Sequence, residues 1–316
     1  MGMDKPTYSI VAPIYNEIGS IPALIQRVSK VMDDYCSADA ESWELVLVDD
    51  GSQDGSTEKI RESAQQDERI RAVIFARNFG HQIAVTAGLD YSRGKAVIII
   101  DADLQDPPEI IPDLISKWKE GYEVVYAVRA EREGESWFKK ATAKIFYRLI
   151  HRITSVNIPL DTGDFRLLDR VVVDALGKMR ERHRFLRGMA AWVGFRQVGV
   201  PYRRAARFAG ETKYPFKKMV RFALDAITGF SYFPLQLATY IGFLAAGFSI
   251  LAIPVVVYER LAGHQAFFGQ ATTLIAVLFL GGVQLICLGI VGEYIGRLYD
   301  EVKERPLYIV REAPEK

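Results

Sequence analysis

Cysteine is nearly absent: Cys36 and Cys287 are the only two in 316 residues. One lies near the end of a helix-like segment and the other inside an apolar run, so a disulfide framework is not expected and a reducing compartment is. Net charge is also nearly absent, at +1. No global basic field therefore points to nucleic acid, and no nucleic-acid partner is expected. No G-x-G-x-x-G follows the first strand-like run, which argues against a Rossmann dinucleotide pocket. The start, "MGMDKPTYSIVAPIYNE", passes directly into that run, and no secretory signal is expected from it. The longest absences are of charge. No Asp, Glu, Lys or Arg occurs from Phe230 to Tyr258, or from Ala266 to Gly292.

Each uncharged run exceeds the roughly 20 residues a helix needs to cross a bilayer core. Only "ERLAGHQ" separates them, so two spans, about 235–257 and about 268–292, are expected to form a tight hairpin within 230–296. The competing reading is a pair of buried core helices. Lys217, Lys218 and Arg221 precede the first run, and Arg297, Lys303 and Arg305 follow the second. The excess of Lys and Arg on the terminal sides predicts a multi-pass protein of the inner (plasma) membrane with both termini cytoplasmic. Gly242 with Ala246, and Gly292 with Gly296, would allow close helix approach.

What is present in the first two thirds is an alternation of strand-like and helix-like segments. "YSIVAPI", "WELVLV", "IRAVIF", "KAVIII" and "YEVVYAV" are continuous apolar runs. "IPALIQRVSKVMDDY" has helical spacing. Apolar strands alternating with helices predict an α/β fold with a mostly parallel sheet covered on both faces. Ligands of such sheets bind beyond the carboxyl ends of the strands. Three of those ends are unusually polar: "PIYNE" (Pro13 to Glu17), "VDDGSQDGS" (Val48 to Ser56) and "DADLQD" (Asp101 to Asp106). Each alone could be an ordinary turn or cap. All three on one edge predict a site.

The third is the most pointed, because "IIIDADLQDPPE" ends a buried strand by crowding carboxylates together. Burying like charges costs several kcal/mol unless something offsets them. Asp101 and Asp103 can turn toward one hard cation, Mg²⁺ or Mn²⁺, which takes oxygen ligands and shares them with substrate phosphates. Asp106 is expected to serve locally, capping a helix that starts at Pro107.

"SIVAPIYNE", "LVLVDDGSQDGS", "RNFGHQIA" and "DADLQDPPE" resemble the family 2 glycosyltransferases of GT-A fold. "DTGDFRLLDR", "RFAGETKY" and the ending "LFLGGVQLICLGIVGEYIGRLYDEVKERPLY" narrow the resemblance to polyprenyl-phosphate glycosyltransferases, above all bactoprenol (undecaprenyl-phosphate) glucosyltransferases; dolichyl-phosphate mannose synthases are more distant. The resemblance implies a cytoplasmic GT-A domain over 1–215, a basic amphipathic juxtamembrane helix over 216–229, the hairpin, and a cytoplasmic tail over 297–316. It implies inverting transfer of a hexose, glucose foremost, from UDP-glucose to undecaprenyl phosphate. Another sugar, such as mannose or an aminosugar, is the alternative within the class; a non-catalytic scaffold binding sugar nucleotide is the alternative outside it. A homo-oligomer, with a tetramer among the options, is also implied.

Carried onto this chain, the resemblance places the UDP-sugar donor against Pro13, Tyr15, Glu17, Asp50, Arg77, Asp101 and Gln105. A carboxylate at Asp50 could accept from a uracil N–H. Asp101 and Asp103 become the metal ligands. The acidic catalytic residue falls in "DTGDFR", as Asp164 or Asp161, with Arg166 beside it. A phosphate acceptor needs little base catalysis, since its second pKa is about 6. The acidic residue is therefore expected to orient the acceptor, take a residual proton or order the metal shell.

The acceptor brings more negative charge, and Arg196 to Arg221 holds eight basic residues against Glu211 alone. Arg207 and Lys213 are assigned to the lipid phosphate. Lys140, Lys144, Arg148 and His151 lie on one face of the acid-free segment Ser136 to Arg152, which reads as a helix resting on the membrane surface.

Overall fold

The computed structural model describes residues 5–37, 40–129, 162–202, 228–229, 231–262 and 270–315. Asp161, Arg207, Lys213 and the 136–152 helix lie outside them, as does most of the 216–229 segment.

The chain divides into two compact units. The first takes nearly all of the chain up to residue 222, together with Arg305–Lys316. Its elements are β1 (Tyr8–Ile14), α1 (Ile21–Cys36), β2 (Trp43–Asp49), α2 (Ser56–Gln66), β3 (Ile70–Phe75), α3 (His81–Tyr91), β4 (Ala96–Ile99), α4 (Ile111–Lys119), β5 (Val124–Arg129), β6 (Thr162–Asp169), α5 (Arg170–Lys178), α6 (Leu186–Trp192), β7 (Gln197–Tyr202) and β8 (Val310–Glu312). The eight strands form one sheet in the order β7-β5-β6-β4-β1-β2-β3-β8. β4-β1-β2-β3 are parallel, as the continuous apolar runs require. β1 and β2 are buried along their whole length. α1 buries Ile21, Leu24, Val28, Met32 and Cys36, one stripe at helical spacing.

From β1 the chain steps outward to β2 and β3, then returns to the other side of β1 for β4. That reversal makes a crevice beyond the carboxyl ends of β1 and β4. α3 packs across the faces of β1 and β2 and so brings its first residue, His81, to this end of the sheet; Gly88 allows the packing to be close, since a Cβ there would lie 2.1 Å from Val11 Cγ1. Gly88→Ala is expected to destabilise the protein by about 1–3 kcal/mol through overpacking, read as a lower midpoint in a thermal melt.

The sheet is mostly but not wholly parallel. β6 runs antiparallel between β4 and β5, and β8 antiparallel on the outer edge of β3. The expected cap at Asp106 is corrected. A 3₁₀ turn, Pro108–Ile110, begins there without a side-chain cap bond. Asp106 is instead buried and accepts a hydrogen bond from the Tyr202 hydroxyl. Packing against β7 takes the carboxylate that local capping would have used.

The second unit contains α7 (Phe233–Leu261) and α8 (Gln270–Val302). Both are long and apolar enough to cross a membrane, and their most apolar windows are 0% buried. A buried core pair is therefore excluded; Phe243 and Leu244 stand about three-quarters exposed. Tyr294 Oη donates to the Ser231 carbonyl at 2.7 Å, tying the two ends of the unit together. α8 extends past the expected end near residue 292, running through Gly296, because no Pro interrupts the chain until Pro306 and Glu293 pairs with Arg297 at 3.0 Å.

Candidate active site

Antiparallel pairing of β4 with β6 sets Ile99 opposite Arg166. Continuing that register two residues brings Asp101, just past the end of β4, level with Asp164, near the start of β6. Two carboxylates from distant parts of the chain are thereby forced to one edge. His81, the first residue of α3, lies between them: its Nε2 is 3.2 Å from Asp164 Oδ2 and 3.6 Å from Asp101 Oδ1. Arg187 Nε donates to Asp164 Oδ1 at 2.7 Å, and Gln82 Nε2 to Asp164 Oδ2 at 3.1 Å. Leu186 N donates in turn to Gln82 Oε1 at 3.0 Å, locking α6 to the cluster.

Electrostatics follow from this packing. Asp164 is buried, which alone would raise its pKa, but the adjacent Arg187 and His81 cations hold it well below the usual carboxylate range. His81 gains more from the two aspartates than it loses to desolvation, and is pushed up to about 9. Asp101 moves the opposite way, up to about 6, because burial outweighs the pull of His81. Arg166 is buried and donates to the Gly163 carbonyl at 3.0 Å; desolvation lowers its guanidinium to about 10. Arg166 thus shapes the β6 end of the site from behind.

Asp101 Oδ1 is buried with no hydrogen-bond partner. Asp103 Oδ1 accepts from Gln105 N at 3.0 Å. Between them Leu104, almost wholly buried, holds φ at +56°, a strained value for a leucine. Among the described residues no three His, Cys, Asp or Glu form a complete metal cage. Such a site fits Mg²⁺ or Mn²⁺, which take one or two carboxylates and complete their shell from water and substrate phosphates. Asp101 and Asp103 would hold the ion.

At the carboxyl ends of β1, β2 and β3 lies a cleft of about 290 Å³, lined in part by Tyr15, Asp49, Gly51, Arg77, Asn78 and Arg311. Its walls are two interlocked loops. Asn16 N and Glu17 N donate to the hydroxyls of Ser52 and Ser56, at 3.0 and 3.1 Å. Gln53 N donates to Asn16 Oδ1 at 2.8 Å, and Asn16 takes φ +54° to allow it. Gly51 (φ +72°) has to be glycine: a Cβ would meet Arg77 C at 2.5 Å. Tyr15 is half exposed, and the Arg77 guanidinium sits 4.0 Å from the Phe79 ring centroid.

Not every expected residue faces this cleft. Pro13 is buried within β1. Asp50 is 3% exposed and accepts from Phe79 N at 2.6 Å, Gly80 N at 2.9 Å and Asn78 Nδ2 at 2.9 Å. It therefore fixes the turn that launches α3, and so positions His81; the aspartate lining the cleft is Asp49. Asp49 itself accepts from Ser52 N and Thr57 Oγ1. Sequence reasoning missed His81, Gln82, Arg187 and Arg311. The first two lay in plain view within "RNFGHQIA". The other two carry no local signal.

Residues 9–177 match glycosyl transferase family 2, and residues 233–298 match the GtrB C-terminal hairpin. The chain is 51% identical over 306 residues to the uncharacterized glycosyltransferase YkcC of Bacillus subtilis, covering 97% of this chain and 94% of that one. It is 41% identical over 305 residues to the bactoprenol glucosyl transferase of Shigella phage SfII, covering 96% and 97%. Among solved structures, it is similar to the mannosyltransferase PcManGT of Pyrobaculum calidifontis, in complex with GDP-Man and Mn²⁺, at TM-score 0.45 and 17% identity over 92% of this chain and 87% of that one.

Proposed function

The chain belongs to glycosyl transferase family 2, and from that premise we propose that it moves glucose from UDP-glucose to undecaprenyl phosphate at the cytoplasmic face of the inner membrane, with inversion. One observation carries this reading. A single chain joins a charged, cation-ready sheet edge to two helices long and apolar enough to span a bilayer. Its likeness to a bactoprenol glucosyl transferase, which runs through both parts, supports glucose and the lipid acceptor.

The uridine end of the donor would lie in the cleft against Tyr15 and Arg77, with Glu17 in the loop after β1 and Gln105 in the loop after β4. Its diphosphate would reach the Asp101 and Asp103 edge. A divalent ion bound there supplies compensation for charge on the departing diphosphate. The acceptor phosphate oxygen attacks the anomeric carbon opposite the UDP; the new C–O bond forms as the bond to UDP breaks, and UDP leaves with the electron pair. One displacement on an α-linked donor yields a β-linked product. Arg187 and His81, held by Asp164, present positive charge to the incoming phosphate, with Arg207 and Lys213 as further contacts and Asp161 as a neighbour of the same segment. The spans keep the soluble part beside the bilayer, which raises the effective concentration of acceptor.

The test uses the purified full chain in detergent, undecaprenyl phosphate, Mg²⁺ or Mn²⁺, and a panel of sugar nucleotides. A β-glucosyl lipid formed from UDP-glucose is the expected product. Lipid product only from another sugar nucleotide would remove the glucose assignment, and retention of the α configuration would remove the single displacement.

A further inference from the structure

We propose that the segment following α8 completes the donor pocket, and that Arg311 is a nucleotide-binding residue of this enzyme. The inference rests on the donor reading above and adds to it a wall contributed by the last dozen residues.

Val302 ends α8 and Val310 begins β8, so the chain leaves the apolar hairpin and within a few residues adds a strand to the catalytic sheet. β8 pairs antiparallel with β3, Val310 opposite Phe75 and Glu312 opposite Ile74. Ala76 N donates to the Ile309 carbonyl at 2.9 Å. The tail is then fastened on both faces of the sheet. On the α2 side, Arg61 forms a two-pronged pair with Glu312 at 2.6 and 2.9 Å. On the α3 side, the Tyr308 hydroxyl donates to Asp90 Oδ2 at 2.7 Å, and its ring stacks on Phe75 at 5.2 Å. Arg71, a buried residue of β3, donates to the Glu315 carbonyl. An edge strand that served only to cover β3 would not require so many specific anchors.

Arg311 sits between the anchored positions and lines the cleft beside Tyr15 and Arg77. Among the described residues its hydrogen bond is long and weak, with Nη2 3.5 Å from the Ala76 carbonyl, and the neighbouring Glu312 carboxylate is already paired with Arg61. The guanidinium is thus exposed, held at the cleft by its strand, and has donors left over. Two guanidiniums and an aromatic ring around one spent aspartate make a cleft suited to an electron-rich planar base with carbonyl acceptors, or to ribose hydroxyls. That chemistry is a nucleoside diphosphate, entered base first.

The test is calorimetric titration of UDP into the full chain in detergent, alongside KM and kcat for UDP-glucose, for wild type, Arg311→Ala and Arg311→Lys. Arg311→Ala is expected to weaken UDP about 10-fold and raise KM in parallel, with kcat within about twofold and the thermal midpoint unchanged; Arg311→Lys should recover part of the loss. Unchanged UDP affinity in Arg311→Ala would overturn the proposal. So would a loss of affinity accompanied by equal losses of kcat and thermal midpoint, since that is a structural effect. A wild-type chain that binds another nucleoside diphosphate but not UDP would remove the uridine assignment, and Arg311 would stand if its variant lost affinity for that nucleotide. A wild type that binds none would overturn both.

Discussion

Asp164→Asn is expected to lower kcat by about 10²- to 10⁴-fold while leaving UDP affinity nearly unchanged. Asparagine keeps the shape of the side chain but removes the charge that pairs with Arg187 and His81. Two cations at a buried edge then lose their common partner, and the geometry presented to the acceptor phosphate relaxes. The pH dependence separates orientation from base catalysis. Asp164 is held well below the ordinary carboxylate range by those cations. A group with a depressed folded pKa contributes above its unfolded pKa and loses that contribution only as pH falls through the folded value. Between pH 6.5 and 8.5 Asp164 is therefore fully charged and a poor proton acceptor. The loss caused by Asp164→Asn should not shrink toward high pH in that window; it should grow there, because His81 loses the partner that holds its proton. A loss that shrank toward high pH, as the acceptor phosphate became fully dianionic, would mean instead that Asp164 takes its proton.

Removing the divalent ion with excess chelator, or making Asp101→Asn with Asp103→Asn, is expected to cost several kcal/mol of barrier, about 10³-fold in rate. Transfer by the wild type at undiminished rate in chelator would sink the role given to this edge. The same substitution carries a second, opposite expectation. Asp101 is half-buried, has a buried oxygen without a hydrogen bond, and is pushed up to about 6. A carboxylate with a raised folded pKa destabilises the protein once pH exceeds its unfolded value, and relieves it below. Asp101→Asn alone should therefore raise the thermal midpoint in chelator at pH 8, with the gain vanishing near pH 4. A residue whose replacement stabilises the fold and abolishes turnover is present for the ion and not for the fold.

Much of the site was legible because its loops are written as contiguous motifs. "PIYNE", "DDGSQDGS" and "DADLQD" follow buried strands, and apolar runs bounded by polar turns are visible without any neighbour. The roles inside those loops were less legible. Asp49 and Asp50 are adjacent in sequence, and successive strand residues point to opposite sides; only packing tells that Asp50 holds the turn before α3 while Asp49 meets the cleft. Arg187 sits in a short helix whose sequence resembles any surface turn, and it acquires meaning only by reaching Asp164.

By itself the sequence determined the parallel α/β core, the acidic edge after β4 and two membrane-length apolar helices. Each depends on local patterns: runs of apolar residues, turn chemistry and the absence of charge. The tertiary structure alone decided which carboxylates meet and what closes the cleft beside Tyr15 and Arg77. The pairing of β6 against β4 brings Asp164 level with Asp101, and the pairing of β8 against β3 carries Arg311 back from beyond the hairpin. Both are strand registers between segments far apart in the chain, and register is set by the burial of whole faces, which no short stretch of residues can express.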